Sequence, residues 1–210
     1  MDNEREILSL YYDSNNFRQV MRRPFLQGGK VCASDGHVLI RIDESLCDGK
    51  YEEKPDGLTP PNVACVVPQP TIDDPLTRLM LLDALHGAPG EDCRQCPECA
   101  GVGIVTWEYR DRFYVKHTME HECPECGGDG HVDPYIVNKY QFSIHGLSLC
   151  HHHVVTLLKT MIYMDVDELR LRHAQTDGNT PRALLFASGG VEIVMMPQVR
   201  EYNMLEVTII

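Results

Sequence analysis

The sequence has 210 residues, of which 43% are hydrophobic and 24% are charged, proportions that are ordinary for a water-soluble globular protein. Its net charge of −12 makes it a poor general nucleic-acid binder, because neutralisation of phosphates by Lys and Arg drives that affinity. No apolar run approaches the roughly 18 residues of a membrane helix, and the charged start MDNEREIL is not a secretory signal. We therefore expect a cytoplasmic protein with no membrane contact.

The N-terminal part of the chain predicts a short helix followed by strands. The helix carries Arg18 to Arg23, and the Asp35-Gly36 pair marks a two-residue hairpin turn between apolar runs. The strands are expected near 25–27, 30–34 and 37–42.

A proline-rich connection and a second helix come next. Residues 48–75 predict mostly connecting structure, with one short strand over 63–67. Asp74-Pro75 is a good N-cap and first-turn pair, so a helix is expected over 76–87.

Basic side chains are concentrated in residues 16–30, which contain no acidic residue. Two interpretations stay open: a nucleic-acid contact, or an ordinary solvated face. The nucleic-acid interpretation assigns phosphate contacts to Arg18, Arg22, Arg23 and Lys30.

The middle of the chain repeats one phrase, CPECAGVG at 96–103 and CPECGGDG at 123–130. Two Cys-x-x-Cys pairs complete a tetrahedron of thiolates, which suits one structural Zn²⁺ ion. The expected ligands are Cys96, Cys99, Cys123 and Cys126. Cys93 also forms a Cys-x-x-Cys pair with Cys96, so a ligand swap stays open, as do free thiols in a turn-rich loop.

The residues between the two phrases alternate in the manner of a β-hairpin with its turn at 110–112. Four aromatic side chains lie on it, too many to bury in a two-stranded ribbon. They indicate either a partner-binding surface or packing against the parent domain. These residues are Trp107, Tyr109, Phe113 and Tyr114.

The tandem Cys-x-x-Cys-x-Gly-x-Gly phrase resembles the cysteine-rich region of J-protein co-chaperones of the DnaJ type. The resemblance covers residues 96–130 and implies the zinc-binding fold alone. The co-chaperones carry four copies and two zinc ions, whereas this chain has two copies and room for one ion. The helical J-domain with its His-Pro-Asp tripeptide has no counterpart here.

The C-terminal part predicts the order β-α-β-β-β. A strand over 141–146 is followed by a helix over 147–163 with Ser148 as a candidate N-cap. An alternating strand over 167–174 and a hairpin formed by RALLFAS and GVEIVMM complete the order.

Two short segments resemble bacterial DNA polymerase sliding clamps of the β-subunit family. Ala33-Ser34-Asp35-Gly36-His37 is similar to the Ala-Thr-Asp-Gly-His segment of those clamps, and Glu192 to Pro197 is similar to their Val-Met-Pro ending. The resemblance implies an α+β fold in which one clamp-like domain is built from two β-α-β-β-β halves. That domain would comprise residues 1–90 and 132–210, with a zinc-bound hairpin inserted at 91–131.

No motif for catalysis stands out, since the sequence lacks a phosphate loop, a Gly-x-Ser-x-Gly elbow and a His-Glu-x-x-His helix. We expect a non-enzymatic, clamp-like accessory or adaptor protein that binds DNA or replication proteins and no small-molecule substrate. The alternative is a protein-interaction module that uses the acidic zinc hairpin and has no nucleic-acid role. The sequence leaves the oligomeric state open.

Overall fold

The computed structural model describes residues 3–88, 94–128, 130–132, 140–174, 176–177, 180–181, 183–199 and 204–210. The chain divides into two compact units. The body comprises Met1–Ala88 and Tyr140–Ile210, and the arm comprises Pro89–Lys139.

Within its described residues, the body contains three α-helices, four short 3₁₀ helices and twelve strands, and the strands are numbered along the whole chain. The α-helices are α1 (Glu4–Ser9), α2 (Arg78–Gly87) and α3 (His151–Tyr163), and the 3₁₀ helices are Gln19–Met21, Glu44–Leu46, Pro55–Gly57 and Val63–Val66. Its strands are β1 (Phe25–Gln27), β2 (Lys30–Ser34), β3 (Val38–Asp43), β4 (Asp74–Thr77), β9 (Tyr140–Ile144), β10 (Leu147–Leu149), β11 (Glu168–His173), β12 (Thr176–Asp177), β13 (Thr180–Pro181), β14 (Leu184–Ser188), β15 (Val191–Met195) and β16 (Leu205–Thr208). The arm contains β5 (Arg94–Gln95), β6 (Ile104–Arg110), β7 (Lys116–Glu122) and β8 (His131–Val132).

One seven-stranded sheet joins the parts of the body that precede and follow the arm. Its strand order is β1-β2-β3-β15-β14-β11-β4, and β9 lies between β10 and β16 in a separate three-stranded sheet. The two sequence parts meet where β3 pairs with β15, antiparallel, with Ile42 opposite Val191 and Val38 opposite Met195. The hairpins β2–β3 and β14–β15, whose turns carry the similar phrases ASDG and ASGG, are therefore neighbours at the centre of the sheet.

Two hydrophobic clusters lie in the body. Strand β11 shows how the sequence sets this up, because its residues Leu169, Leu171 and His173 alternate as buried positions with more exposed ones. The main core includes Ile40, Phe142, Leu157 and Phe186, and draws on residues from all three α-helices. A smaller cluster contains Phe25, Cys32, Leu39, Leu185 and Val194, together with Val63 from the proline-rich connection. Along the central strands, residues of the smaller cluster such as Leu39 alternate with residues of the main core such as Ile40, so the two clusters lie on opposite faces of the sheet. The central strands are therefore buried on both faces.

The predicted α+β class is confirmed, and several element boundaries differ from prediction. Helix α3 begins at His151, because Leu147–Leu149 pair with β9 as strand β10. Asp74-Pro75 lie in strand β4 beside β11, and α2 is capped by Thr77, whose hydroxyl accepts from the N–H of Met80 at 3.2 Å. Residues 63–66 form a 3₁₀ helix and not a strand.

The order of elements departs from two equal β-α-β-β-β halves. The C-terminal part follows the predicted order with β9, α3, β11, β14 and β15, and adds β10 before the helix, β12 and β13 after β11, and β16 after β15. Within the described residues 3–88, α1 has no strand before it, and β4 and α2 follow the three strands β1 to β3. In the part of the chain that the structure describes, no helix is long and apolar enough to span a membrane.

Candidate functional site

The arm brings its four repeated cysteines together. The side-chain sulfur atoms of Cys96, Cys99, Cys123 and Cys126 all lie within 4.8 Å of one another. The Sγ atoms of Cys96 and Cys123 are 3.7 Å apart, and those of Cys99 and Cys126 are 3.8 Å apart. Cys93 lies outside the described residues, so the structure does not test it as a ligand.

These separations fit a tetrahedral four-thiolate metal site. A Zn–S bond of about 2.3 Å places the corners of a regular tetrahedron about 3.8 Å apart. Cys96, Cys99 and Cys123 are buried, and Cys126 is partly buried. Four sulfur ligands leave no open position for water, so a metal held here would be structural.

The two copies of the phrase, 96–103 and 123–130, each form a turn around two of the cysteines, which we call a knuckle, and the two knuckles are related by a local twofold pattern. The N–H of Gly103 donates to Cys99 Sγ and the N–H of Gly130 donates to Cys126 Sγ, each at 3.2 Å. The N–H of Cys123 donates to the carbonyl of Gly103, and that of Cys96 to the carbonyl of Gly130, each at 2.8 Å. Each copy of the phrase thus binds the backbone of the other, which explains why the phrase is present twice.

Only glycine fits at the end of each phrase. A Cβ atom on Gly103 would lie 2.1 Å from the carbonyl oxygen of Gly128, and one on Gly130 would lie 2.3 Å from the carbonyl oxygen of Gly101. The φ angles of Gly103 and Gly130 are also positive, at +80° and +73°. The last glycine of each phrase is therefore required by close backbone contact as well as by φ.

The thiols of the first knuckle differ in acidity before a metal binds. Burial acts to raise the pKa of both thiols and prevails at Cys96, whose pKa is about 11. At Cys99 the N–H groups of Gly103 and Gly101 and the neighbouring thiols outweigh burial, and the pKa is about 7. Thiols lose their protons when they bind a metal, so metal binding is expected to release protons at neutral pH.

The arm hairpin has one aromatic face. Strands β6 and β7 pair with Trp107 opposite Met119, Tyr109 opposite His117 and Val105 opposite His121, and we call these six residues the aromatic face. Trp107, Tyr109 and Met119 are 58%, 66% and 63% exposed. The Trp107 and His121 ring centroids are 4.8 Å apart, and the Tyr109 and His117 rings stack at 4.9 Å.

The hairpin turn holds the other two predicted aromatic residues. Phe113 and Tyr114 are exposed there, and the Arg112 guanidinium lies 4.8 Å from the Phe113 ring centroid. Asp111 accepts hydrogen bonds from the N–H groups of Phe113 and Val115 and faces His117 Nε2 at 3.0 Å. The His117 hydrogen bond lowers the pKa of the Asp111 carboxyl, so this carboxylate stays ionised and fixes the turn.

Three of the four predicted phosphate-contacting side chains are engaged within the body. Arg23 forms an ion pair with Asp56, and Lys30 lies 2.6 Å from Asp43 and 3.6 Å from Glu192. Arg22 Nε donates to the carbonyl of Asn16 at 2.7 Å.

Arg18 differs from these three basic residues. Its guanidinium lies over the exposed ring of Phe17, 5.2 Å from the ring centroid. The predicted helix is reduced to the 3₁₀ turn Gln19–Met21, with Arg18 and Arg22 as its two caps.

A groove in the body was not predicted from the sequence. It has a volume of about 180 Å³ and is formed by four chain segments that are far apart in sequence. The lining residues are Arg18 and Met21, then Ser34 and Gly36 to Leu39, then Pro61, Asn62, Val63 and Val66, and finally Val194 and Met196.

The groove unites features that were noted separately in the sequence. The Ala33–His37 phrase contributes its glycine and histidine, and the Glu192–Pro197 phrase contributes Val194 and Met196. Both clamp-like segments therefore lie at one cavity, together with Arg18. The sequence did not indicate that the proline-rich connection lines the groove, because its 3₁₀ helix lies there only through tertiary packing.

Comparison with known proteins gives solved structures only, because no family model and no curated protein matches. The β clamp of Helicobacter pylori bound to a DNA ligase peptide is 9% identical, with 94% of this chain and 63% of that chain covered and a TM-score of 0.49. The DNA polymerase III subunit beta of Pseudomonas aeruginosa is 13% identical over 92% of this chain and 62% of that chain, with a TM-score of 0.45. A putative DNA polymerase III beta subunit of Eubacterium rectale is 9% identical, with 93% of this chain and 61% of that chain covered and a TM-score of 0.46. This chain therefore spans less than two thirds of the length of these clamp structures, to which it is similar.

Proposed function

We propose that this chain is a non-enzymatic, clamp-like accessory or adaptor protein that binds a replication protein through the body groove. One structural Zn²⁺ ion, bound by the four cysteines, would stabilise the fold of its arm. The observation that carries this proposal is that both clamp-like segments line the groove, Ala33–His37 through Ser34, Gly36 and His37, and Glu192–Pro197 through Val194 and Met196.

The size and lining of the groove favour a protein segment as its occupant. Sites for drug-sized molecules enclose roughly 300–1,000 Å³. A cavity of about 180 Å³ suits one or two large side chains of a peptide. Met21, Leu39, Val63, Val66 and Val194 supply an apolar floor, and Arg18 and His37 offer polar groups that could fix the direction of a bound segment.

Zinc is the ion that the arm suits best. The four donors are all sulfur, and their spacing matches a tetrahedral site, which in proteins holds zinc or iron. Zinc would supply no catalysis here, because no ligand position is open. The arm is a small unit whose buried cluster consists of three cysteines with Val105 and Cys126 packed against them, so the metal replaces a hydrophobic core.

We expect a substitution in the groove to abolish peptide capture. Met196 is 41% exposed in the groove wall, and Met196→Glu would place a charge where an apolar side chain binds. Against a display library of short peptides, selected binders should lose at least about tenfold in affinity, equivalent to about 1.4 kcal/mol.

Val199→Glu is the matched control for this experiment. Val199 is 81% exposed, lies three residues further along the chain and does not line the groove. It should leave peptide affinity unchanged. Equal loss in both variants, or selected peptides that still bind Met196→Glu, would contradict a groove site.

DNA binding through the basic residues remains a prediction. Fluorescence anisotropy with labelled single- and double-stranded DNA should show binding that weakens steeply with salt and is lost in Arg18→Ala/Arg22→Ala. The engagement of Arg22, Arg23 and Lys30 within the body favours protein over DNA as the partner. An absence of DNA affinity at low salt would exclude DNA as a partner and would leave the proposed binding of a peptide in the groove unaffected.

The alternative function, a protein-interaction module that uses the arm, is favoured by one specific observation. Trp107, Tyr109 and Met119 form a contiguous face on the hairpin and remain mostly exposed. Contiguous apolar surface of this kind is typical of binding sites.

A further inference from the structure

We propose that the aromatic face of the arm binds an extended, Arg- or Lys-rich segment of a partner protein. This surface is distinct from the body groove, so the inference stands whether or not the groove binds a peptide. It names the chemistry of a partner for the arm, which the exposed aromatic residues alone leave open.

The face is already ordered for binding. Trp107 and Tyr109 each contact a histidine ring on the opposite strand, and Asp111 holds His117 at the turn. Val105, at the other end of the face, packs against the cysteine cluster. Side chains that are fixed before binding lose little conformational entropy when a ligand arrives.

The charge at the knuckle end of the arm favours a cationic partner. Glu98, Glu120, Glu122 and Glu125 are exposed in or beside the two knuckles, and none has an ion-pair partner among the described residues. Four thiolates around a divalent ion would add a net charge of about −2. The thickness of a two-stranded ribbon with its side chains is about 10 Å, about one Debye length at 0.1 M salt, so a screened part of this negative field acts at the aromatic face and grows as the salt concentration falls.

The aromatic rings are a second reason to expect a cationic partner segment. Arg and Lys side chains bind over the faces of Trp and Tyr rings, with Trp the stronger acceptor. The arm already contains one such contact, between Arg112 and Phe113. Nucleic acid would be repelled by the same carboxylates that attract a basic protein segment.

The dimensions of the hairpin favour an extended segment over a second copy of the arm. Strands of seven residues span about 24 Å, and a face about 10 Å wide offers only about 240 Å². A stable dimer needs about 800 Å² from each partner. An extended peptide of about seven residues matches the ribbon along its whole length.

The sequence contains a single tryptophan, Trp107, so its fluorescence reports binding at this face in the intact protein. The protein would be titrated with a nonapeptide of alternating Arg and Gly and with a Glu-Gly peptide of equal length. We expect the Arg peptide to bind at least about tenfold more tightly, with an affinity that falls several-fold between 50 and 200 mM salt.

Two pairs of conservative variants then locate the charge. Glu120→Gln/Glu125→Gln should weaken binding of the Arg peptide about tenfold while metal content stays the same. Glu52→Gln/Glu53→Gln removes two exposed carboxylates from the body and should leave affinity unchanged.

Three outcomes of these titrations would overturn this inference. They are equal binding of both peptides, no Trp107 response to the Arg peptide at low salt, and equal effects of the two variant pairs. Self-association of the free protein through Trp107, seen by sedimentation, would assign the face to a second copy and overturn it as well.

Discussion

Removal of the metal is expected to unfold the arm and leave the body folded. The buried cluster of the arm consists of cysteines, and a two-stranded hairpin is marginally stable by itself in water. Structural zinc contributes about 10–16 kcal/mol to the folding of small zinc domains, more than any other interaction available to the arm. The body has two hydrophobic clusters of its own.

Trp107 makes this experiment specific to one unit. Because it is the only tryptophan in the chain, its fluorescence reports the arm, while thermal unfolding followed by backbone circular dichroism reports chiefly the body. A strong chelator should change the Trp107 emission and release one zinc per chain. The midpoint of body unfolding should shift by less than about 2 °C, equivalent to less than about 1 kcal/mol for a unit of this size.

Single cysteine variants separate the metal site from general thiol effects. Cys99→Ser should reproduce the effect of the chelator, since it removes one of four ligands. Cys65→Ser, at an exposed thiol outside the cluster, should retain metal and normal Trp107 emission. A parallel loss of arm and body stability on chelation would show that the two units are not independent, and a metal content near zero in the purified protein would contradict the site.

A single methyl group at Gly103 is expected to weaken metal binding about a hundredfold. In Gly103→Ala the new Cβ would overlap the carbonyl oxygen of Gly128 at 2.1 Å, at a φ of +80°. Backbone has to move to relieve this overlap, and that movement disturbs the hydrogen bonds from Gly103 to Cys99 and from Cys123 to Gly103. A total cost of about 3 kcal/mol corresponds to about a hundredfold in affinity.

Gly127→Ala is the matched control for the effect of φ alone. Gly127 also has a positive φ, +61°, but a Cβ there would meet no atom within 4 Å. We expect less than a tenfold loss, equivalent to about 1 kcal/mol of backbone strain. Zinc affinity measured by competition with a chelating dye should rank wild type, Gly127→Ala and then Gly103→Ala. Similar affinities for the two variants would mean that the close contact between the knuckles is not needed.

The arm could be predicted from sequence because its information is local. The repeated Cys-x-x-Cys phrase predicts the group of four sulfur atoms, and the alternation of Val105, Trp107 and Tyr109 predicts the strand, so each feature can be recognised from short stretches of sequence. The close approach of Gly103 to Gly128, and of Gly130 to Gly101, could not be predicted, since glycines in a sequence by themselves indicate only positive φ.

The body was harder to predict, because long-range pairing decides its details. Leu147–Leu149 continue the apolar pattern of α3, yet they form a strand since β9 offers them backbone hydrogen bonds. Asp74-Pro75 form a good local cap, but pairing with β11 places them in a strand. The groove depends on four distant segments, and nothing in the sequence indicates that Val63 and Val66 meet Met196.

The pairing of β3 with β15 has a consequence for the synthesis of the chain. On one side Ile42 pairs with the nearby Val31, but on its other side its partner is Val191, so the central sheet cannot close until Val191 has left the ribosome. The knuckles of the arm are close in sequence and can fold as soon as an ion reaches them. We therefore expect the arm to fold first, while the edge of β3 that will pair with β15 is still exposed. We expect slow pairing of this edge to be the folding step at which the nascent protein depends on chaperones.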